Sequence, residues 1–257
     1  MGSETLWQDS KNRIFLMYHD LFLDSPDESG FVSRGANHYK IQASIFERQV
    51  KYVKEQHLES NVLFTFDDGG KSMYDLVAPI LEKYGIHGVF CIPTDYIGKS
   101  HFLSKQQISD LYRRGHIIAS HSDTHPDNMS LLNSKQHQSE WSNSIRVLSE
   151  IIETPVKVAS IPNGFYSQED IDILNLCEVS SVFTSSPSEI KHIKNTMVIG
   201  RYAVSNSTTW KVFTLIIRSP LYRSYLSIRQ RFLDWTKRLL GFKTYSLIKK
   251  KLRLIWK

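Results

Sequence analysis

Asn61-Val62-Leu63-Phe64-Thr65-Phe66 runs straight into Asp67-Asp68-Gly69-Gly70. An apolar run of this length, rich in β-branched and aromatic residues, reads as a strand, and the Asp-Asp-Gly-Gly that follows stops it. Downstream, Met73–Tyr84 reads as a helix capped by Gly85, and Gly88–Ile92 as a strand ending at Pro93. Upstream, residues 13–19 form another short strand, 20–38 a loop rich in Asp, Ser and Gly, and 44–57 a helix with Ile45, Phe46, Gln49, Val50 and Val53 at helical spacing. The pattern continues toward the C-terminus. Helices are expected over 104–114, 134–152 and 167–177, and strands over 116–120, 156–161 and 181–184. Strand and helix thus alternate about six times with short connections, which calls for a parallel sheet wrapped by helices and closed or nearly closed. In such folds chemistry sits at the C-terminal ends of the strands. Four expected strands end in polar clusters, at His19, at Asp67-Asp68, at His121 with His125, and at Pro162-Asn163-Gly164.

The chain has 257 residues, of which 41% are hydrophobic and 23% charged. That composition supports a packed core and excludes a disordered or fibrous chain. Cys91 and Cys177 are too few for a disulfide framework. Met1–Asp9 has neither a basic start nor an apolar stretch, so no secretory signal is read there, and Leu6 breaks the lipidation pattern that Gly2 would begin. The run Val212–Ile217 falls far short of the roughly 20 residues needed to cross a bilayer. A cytoplasmic location is the expectation from these features. Charge is distributed unevenly. Residues 211–257 hold 13 Lys and Arg against one acid, Asp234, a net +12; with +6 for the whole chain, residues 1–210 carry 6 − 12 = −6.

Asp67-Asp68 alone would pass for a turn, and His121 and His125 for two polar loop residues. Together they describe another possibility. Two imidazoles and a carboxylate form a three-ligand metal set with an open position, and a second carboxylate beside it can accept a proton.

Phe64-Thr65-Phe66-Asp67-Asp68-Gly69-Gly70 resembles the first motif of the polysaccharide deacetylases, the NodB-type carbohydrate esterases. Ser120-His121-Ser122-Asp123-Thr124-His125-Pro126 resembles their second motif, and Ser160-Ile161-Pro162-Asn163-Gly164 lies where their third would fall. The resemblance covers about residues 12–204. It implies a distorted (β/α)7 barrel, with Asp67 as general base and Asp68, His121 and His125 as ligands of a divalent metal, usually Zn2+. It also implies that the backbone N–H of Asn163 holds a developing oxyanion. Ser160 stands where the family has an arginine paired with the catalytic aspartate; Arg201 is a candidate to replace it in space. No Leu-x-His follows residue 190 to supply the usual acid. Met17-Tyr18-His19 resembles the N-terminal Tyr-His of the subgroup acting on exopolysaccharides, which assigns the acid role to His19 ahead of His192. Tyr18, Phe165 and Tyr166 are candidates to contact sugar rings; Trp141 fits either that role or the core.

Beyond the barrel, expected over 1–210, residues 211–257 read as a basic amphipathic helical tail. Leu221, Tyr225, Ile228, Phe232, Trp235 and Leu239 mark one helix face, and a second helix after Gly241 carries Tyr245, Ile248, Leu252 and Ile255. Such a tail suits an anionic membrane surface, with packing on the barrel or on a partner as the alternatives. No nucleic-acid reader motif accompanies the charge. The function expected is metal-dependent removal of an N-acetyl group from an amino sugar of a polysaccharide or its lipid- or nucleotide-linked precursor. A non-catalytic sugar- or partner-binding barrel, an O-acetyl esterase and a deformylase are the rival functions.

Overall fold

The structure, a computed structural model, describes residues 13–187 and 190–240. In chain order its elements are β1 (Ile14–Tyr18), β2 (Leu21–Phe22), α1 (Arg34–Tyr39), β3 (Ile41–Gln42), α2 (Ala43–Glu55) and β4 (Val62–Phe66). A π-helical turn, Met73–Val77, leads into α3 (Ala78–Lys83), followed by β5 (Val89–Ile92), α4 (Lys105–Arg113), β6 (Ile117–Ser120), α5 (Ser134–Ile152) and β7 (Val158–Ser160). Then come α6 (Gln168–Leu176), β8 (Ser181–Thr184), β9 (Ile190–Ile193), β10 (Thr196–Gly200), β11 (Tyr202–Ala203), α7 (Trp210–Arg218) and α8 (Pro220–Leu240).

The strands β1, β4, β5, β6, β7 and β8 pair in parallel in that order, each buried on both faces, which is why they read as unbroken apolar runs. Closure comes from the residues after β8, where no strand was expected. β10 pairs in parallel with β8, Val198 opposite Val182, and β11 pairs in parallel with β1, Leu16 opposite Tyr202. One run of chain, 196–203, therefore bonds first to one end of the six-stranded sheet and then to the other, completing a seven-stranded ring. The short β9 lies antiparallel on the outside of β10.

Alternation along each strand sends one residue in two to the barrel interior. Phe15, Leu63, Val89, Cys91, Ala119, Val158, Phe183 and Ile199 fill it as one apolar cluster. The opposite faces pack against the helices in a larger cluster that includes Leu16, Phe46, Phe64, Phe66 and Phe90. Two residues further along the inward rows the side chains turn polar, at Thr65 and Asp67 on β4 and beyond it, at His121 after β6, at Ser160 on β7 and at Arg201 between β10 and β11.

α7 belongs to this body. Phe213, Ile216 and Ile217 are buried in the larger cluster, so the apolar run too short to span a membrane is a core helix, and the start expected for the tail at residue 211 falls inside it. α8 occupies the position expected for the first tail helix. The second expected tail helix and the N-terminal residues 1–12 lie outside the described residues. No described helix is long and apolar enough to cross a membrane.

Candidate active site

Asp67 is 3% exposed at the end of β4. Arg201, fully buried, reaches it from across the barrel: Nη1 donates to Oδ1 at 2.7 Å and Nη2 to Oδ2 at 2.6 Å. The same guanidinium donates to Thr65 Oγ1 and Ser160 Oγ, both at 2.9 Å, and through Nε to the Thr184 carbonyl at 3.3 Å. All the donors are used, which is what a buried arginine requires. The Ser160 hydroxyl sits 3.3 Å from both Asp67 oxygens, inside the space a larger side chain at 160 would fill. Burial pushes the Asp67 carboxyl up, but Arg201, with His121 and His19, more than offsets it and holds the group far below the usual carboxylate range. Asp67 is thus a fixed, ionised carboxylate.

Asp68, His121 and His125 present one ligand atom each within 4.8 Å of one another. The Nε2 atoms of His121 and His125 lie 3.5 and 3.3 Å from Asp68 Oδ1. His121 Nδ1 is 2.9 Å from the carbonyl oxygen of Ser160. A carbonyl only accepts, so Nδ1 carries the hydrogen, and Nε2 stands opposite the Asp68 carboxylate. A cation between them converts that opposition into ligation, and orientation of a ligand histidine by a carbonyl is the usual supporting arrangement. The residues therefore fit a divalent metal. Burial lowers the His125 pKa, and the facing Asp68 more than reverses this; Asp68 itself, despite burial, is held well below its ordinary value by His19 and the two ligand histidines.

The backbone around this set is strained. Asp68 has φ 80, Ser122 φ 63, His125 φ 57 and Asn163 φ 55, a left-handed region costly for non-glycine residues and found at functional sites. Glu140 of α5 holds the histidine loop. Its carboxylate accepts from the Asp123 and Thr124 amides at 2.9 and 2.8 Å and from Thr124 Oγ1 at 2.6 Å. On the other side Asp20 accepts from Ser29 and Ser72 hydroxyls at 2.6 and 2.7 Å. A Cβ on Gly70 would lie 1.9 Å from Asp20, which explains the second glycine of Asp-Asp-Gly-Gly.

A cavity of about 570 Å3 opens over the site and is lined by His19, Asp67, Asp68, His121, His125 and Asn163, bringing six of the eight expected site residues together. His19 stacks on Tyr39 with ring centres 4.8 Å apart, and its Nδ1 is buried without a hydrogen-bond partner. One expectation is corrected. Tyr18 faces the opposite way from Met17, which lines the cavity; it is 1% exposed, packs on Phe46, Phe64 and Phe66, and donates to Gln49 Oε1 at 2.9 Å. Tyr166 lines the adjoining cavity, under the Lys191 ammonium. Trp141 is a core residue whose Nε1 donates to Asp170, and His192 is exposed on β9. Sequence reasoning missed Phe31, which packs on His125 at 5.0 Å between ring centres, and Tyr39; both come from the segment around α1 that reads as loop.

The barrel thus sets a buried Asp-Arg pair beside an Asp-His-His cluster. The polysaccharide deacetylase family model matches residues 54–182, half of the chain, and the protein belongs to that family. Over 161 residues it is 27% identical to YxkH of Bacillus subtilis, which carries a polysaccharide deacetylase name; the match spans 63% of this chain and 57% of that protein, less than two thirds of its length. It is 20% identical over 205 residues to a poly-beta-1,6-N-acetyl-D-glucosamine N-deacetylase of Staphylococcus aureus, covering 68% of this chain and 71% of the relative. In fold it resembles the Streptococcus pyogenes deacetylase PplD solved with acetate, with TM-score 0.66, 18% identity, and 80% and 98% of the two chains covered. IcaB from Ammonifex degensii gives 0.63, 20%, and 84% and 97%.

Proposed function

We propose that the protein is a metal-dependent deacetylase that removes the N-acetyl group from an amino sugar of a polysaccharide or its lipid- or nucleotide-linked precursor. One observation carries this reading: a buried, arginine-held carboxylate and a three-ligand metal cluster share one cavity. A divalent cation held by Asp68, His121 and His125, zinc being the best match to two imidazoles and a carboxylate, would supply Lewis acidity to water and acyl oxygen. Asp67 accepts the proton of the attacking water, and Arg201 keeps its carboxylate ionised and aimed. Asn163, on the cavity wall, offers its backbone N–H to the developing oxyanion. His19, across the cavity, gives a proton to the departing amine; its buried, unpartnered Nδ1 is the polar atom that a bound ligand or proton relay would satisfy. Acetate and a free amino sugar result. The net +12 of residues 211–257 favours an anionic membrane surface as a partner.

The non-catalytic alternative drew on Ser160 in place of an arginine, and Arg201 removes that support. Elemental analysis together with Asp67→Asn tests the proposal. It requires about one divalent ion per chain, retained in the variant, and a fall in acetate release by roughly 10²- to 10⁴-fold. A metal-free protein, or a variant as active as the parent, would refute it.

A further inference from the structure

α8 is an amphipathic helix turned inside out. Tyr222 and Leu226 pack against the core. Leu221, Tyr225, Ile228, Phe232 and Trp235, at spacing 4-3-4-3 and hence on one face, are 83, 56, 66, 61 and 56% exposed. Five large apolar side chains in one unburied stripe are far more than an isolated exposed leucine, and they call for something that covers them. Arg229 and Arg231, both exposed, flank the stripe on its two sides.

The flanking charge selects the cover. A second copy packing stripe to stripe would bring Arg229 and Arg231 of the two helices together, and α8 holds a single acid, Asp234, to answer them. An acidic bilayer surface takes both features at once, the stripe entering the acyl boundary and the arginines meeting phosphate headgroups. The net −6 of residues 1–210 orients the protein on such a surface with this end inward.

α8 also borders a cavity beside the site. Ser227, Gln230, Arg231 and Trp235 wall a cavity of about 640 Å3 whose other side is the third-motif loop and Tyr166. That cavity and the catalytic one share Asn163, Gly164 and Ser185, so the two adjoin at the third-motif loop.

We propose that the exposed stripe of α8 docks the protein on an anionic lipid surface and so brings the cavity walled by α8, and the catalytic cavity adjoining it, to the bilayer, making its substrate a membrane-tethered saccharide and not a free nucleotide-linked one. The docking claim stands on α8 alone; the substrate claim rests on the deacetylase reading.

Vesicle co-sedimentation of the full chain tests docking without any reference to catalysis. Vesicles of phosphatidylglycerol with phosphatidylcholine should pellet the protein, and pure phosphatidylcholine should bind it at least tenfold less. The triple variant Leu221→Ser, Ile228→Ser, Phe232→Ser changes exposed positions only and should lose about a hundredfold in partition, while Arg229→Gln should lose roughly fivefold. Wild-type partition equal on both vesicle types, or a triple variant that binds as well as the parent, would overturn docking. A wild-type dimer in light scattering that becomes monomeric in the triple variant, with no vesicle binding by either, would show the stripe to be a self-association face. Acetate release from a lipid-linked N-acetyl saccharide in vesicles, compared with a soluble N-acetyl oligosaccharide, tests the substrate claim. The triple variant should lose at least tenfold on the first and keep the second. Equal losses on both would refute the tethering, whereas docking without release from either substrate would refute only the deacetylase reading.

Discussion

Replacing Arg201 by methionine removes the guanidinium and leaves an apolar side chain of similar reach among Phe183, Thr65 and Asp67. Asp67 then keeps its burial and loses the two contacts at 2.6 and 2.7 Å that compensate it. Removing one partner of a buried ion pair costs about 3–5 kcal/mol. At about 2–4 °C per kcal/mol for a domain of this size, the melting temperature should fall by roughly 6–20 °C. The pH dependence is diagnostic. In the wild type the folded-state pKa of Asp67 is depressed, so its contribution to stability is present above the unfolded value of about 3.9 and is lost as pH falls through the lower folded value. In the variant, burial is opposed only by His121 and His19, so the folded pKa rises from its wild-type position. The difference in stability is then largest at neutral pH and shrinks as pH falls through the variant's folded pKa. The stability gap between the two proteins should therefore be widest near pH 7 and narrow toward pH 4, as measured by urea unfolding at each pH. A variant within about 1 kcal/mol of the wild type at pH 7, or a gap independent of pH, would show that Arg201 does not neutralise Asp67.

Moving the arginine back should restore part of what that variant loses: Ser160→Arg combined with Arg201→Ser should melt above Arg201→Ser alone and recover measurable acetate release. Glu140→Gln loses the carboxylate that ties the Asp123 and Thr124 amides, and zinc titration calorimetry should show about 10- to 100-fold weaker binding. His19→Asn should depress hydrolysis of an N-acetyl sugar by about 10²- to 10⁴-fold yet scarcely affect a 4-nitrophenyl ester, whose leaving group needs no proton. Tyr18→Phe strands the buried Gln49 Oε1 and should cost about 1–3 kcal/mol in unfolding with KM unchanged; a raised KM would put Tyr18 at the rim after all.

Much of the fold and site could be read from neighbouring residues, because the forces concerned are local. Periodicity marked α5 at its observed bounds, Ser134–Ile152, where Asn133 and Gln136 close a reciprocal cap. The placing of Asp68, His121 and His125 at strand ends followed from the alternation of strands and helices, since a parallel sheet delivers all its C-terminal ends to one side. Tertiary structure alone settled the rest. β1 is buried on both faces, so no alternation in its sequence tells whether Met17 or Tyr18 meets the cavity. Arg201 and Asp67 lie 134 positions apart, and only ring closure by 196–203 makes them partners. The 4-3-4-3 stripe of α8 was plain in the sequence, but the same spacing serves a helix packed inward or one facing outward. Which side is left to the solvent depends on the contacts of Tyr222 and Leu226, and periodicity carries no information about what lies across from a face.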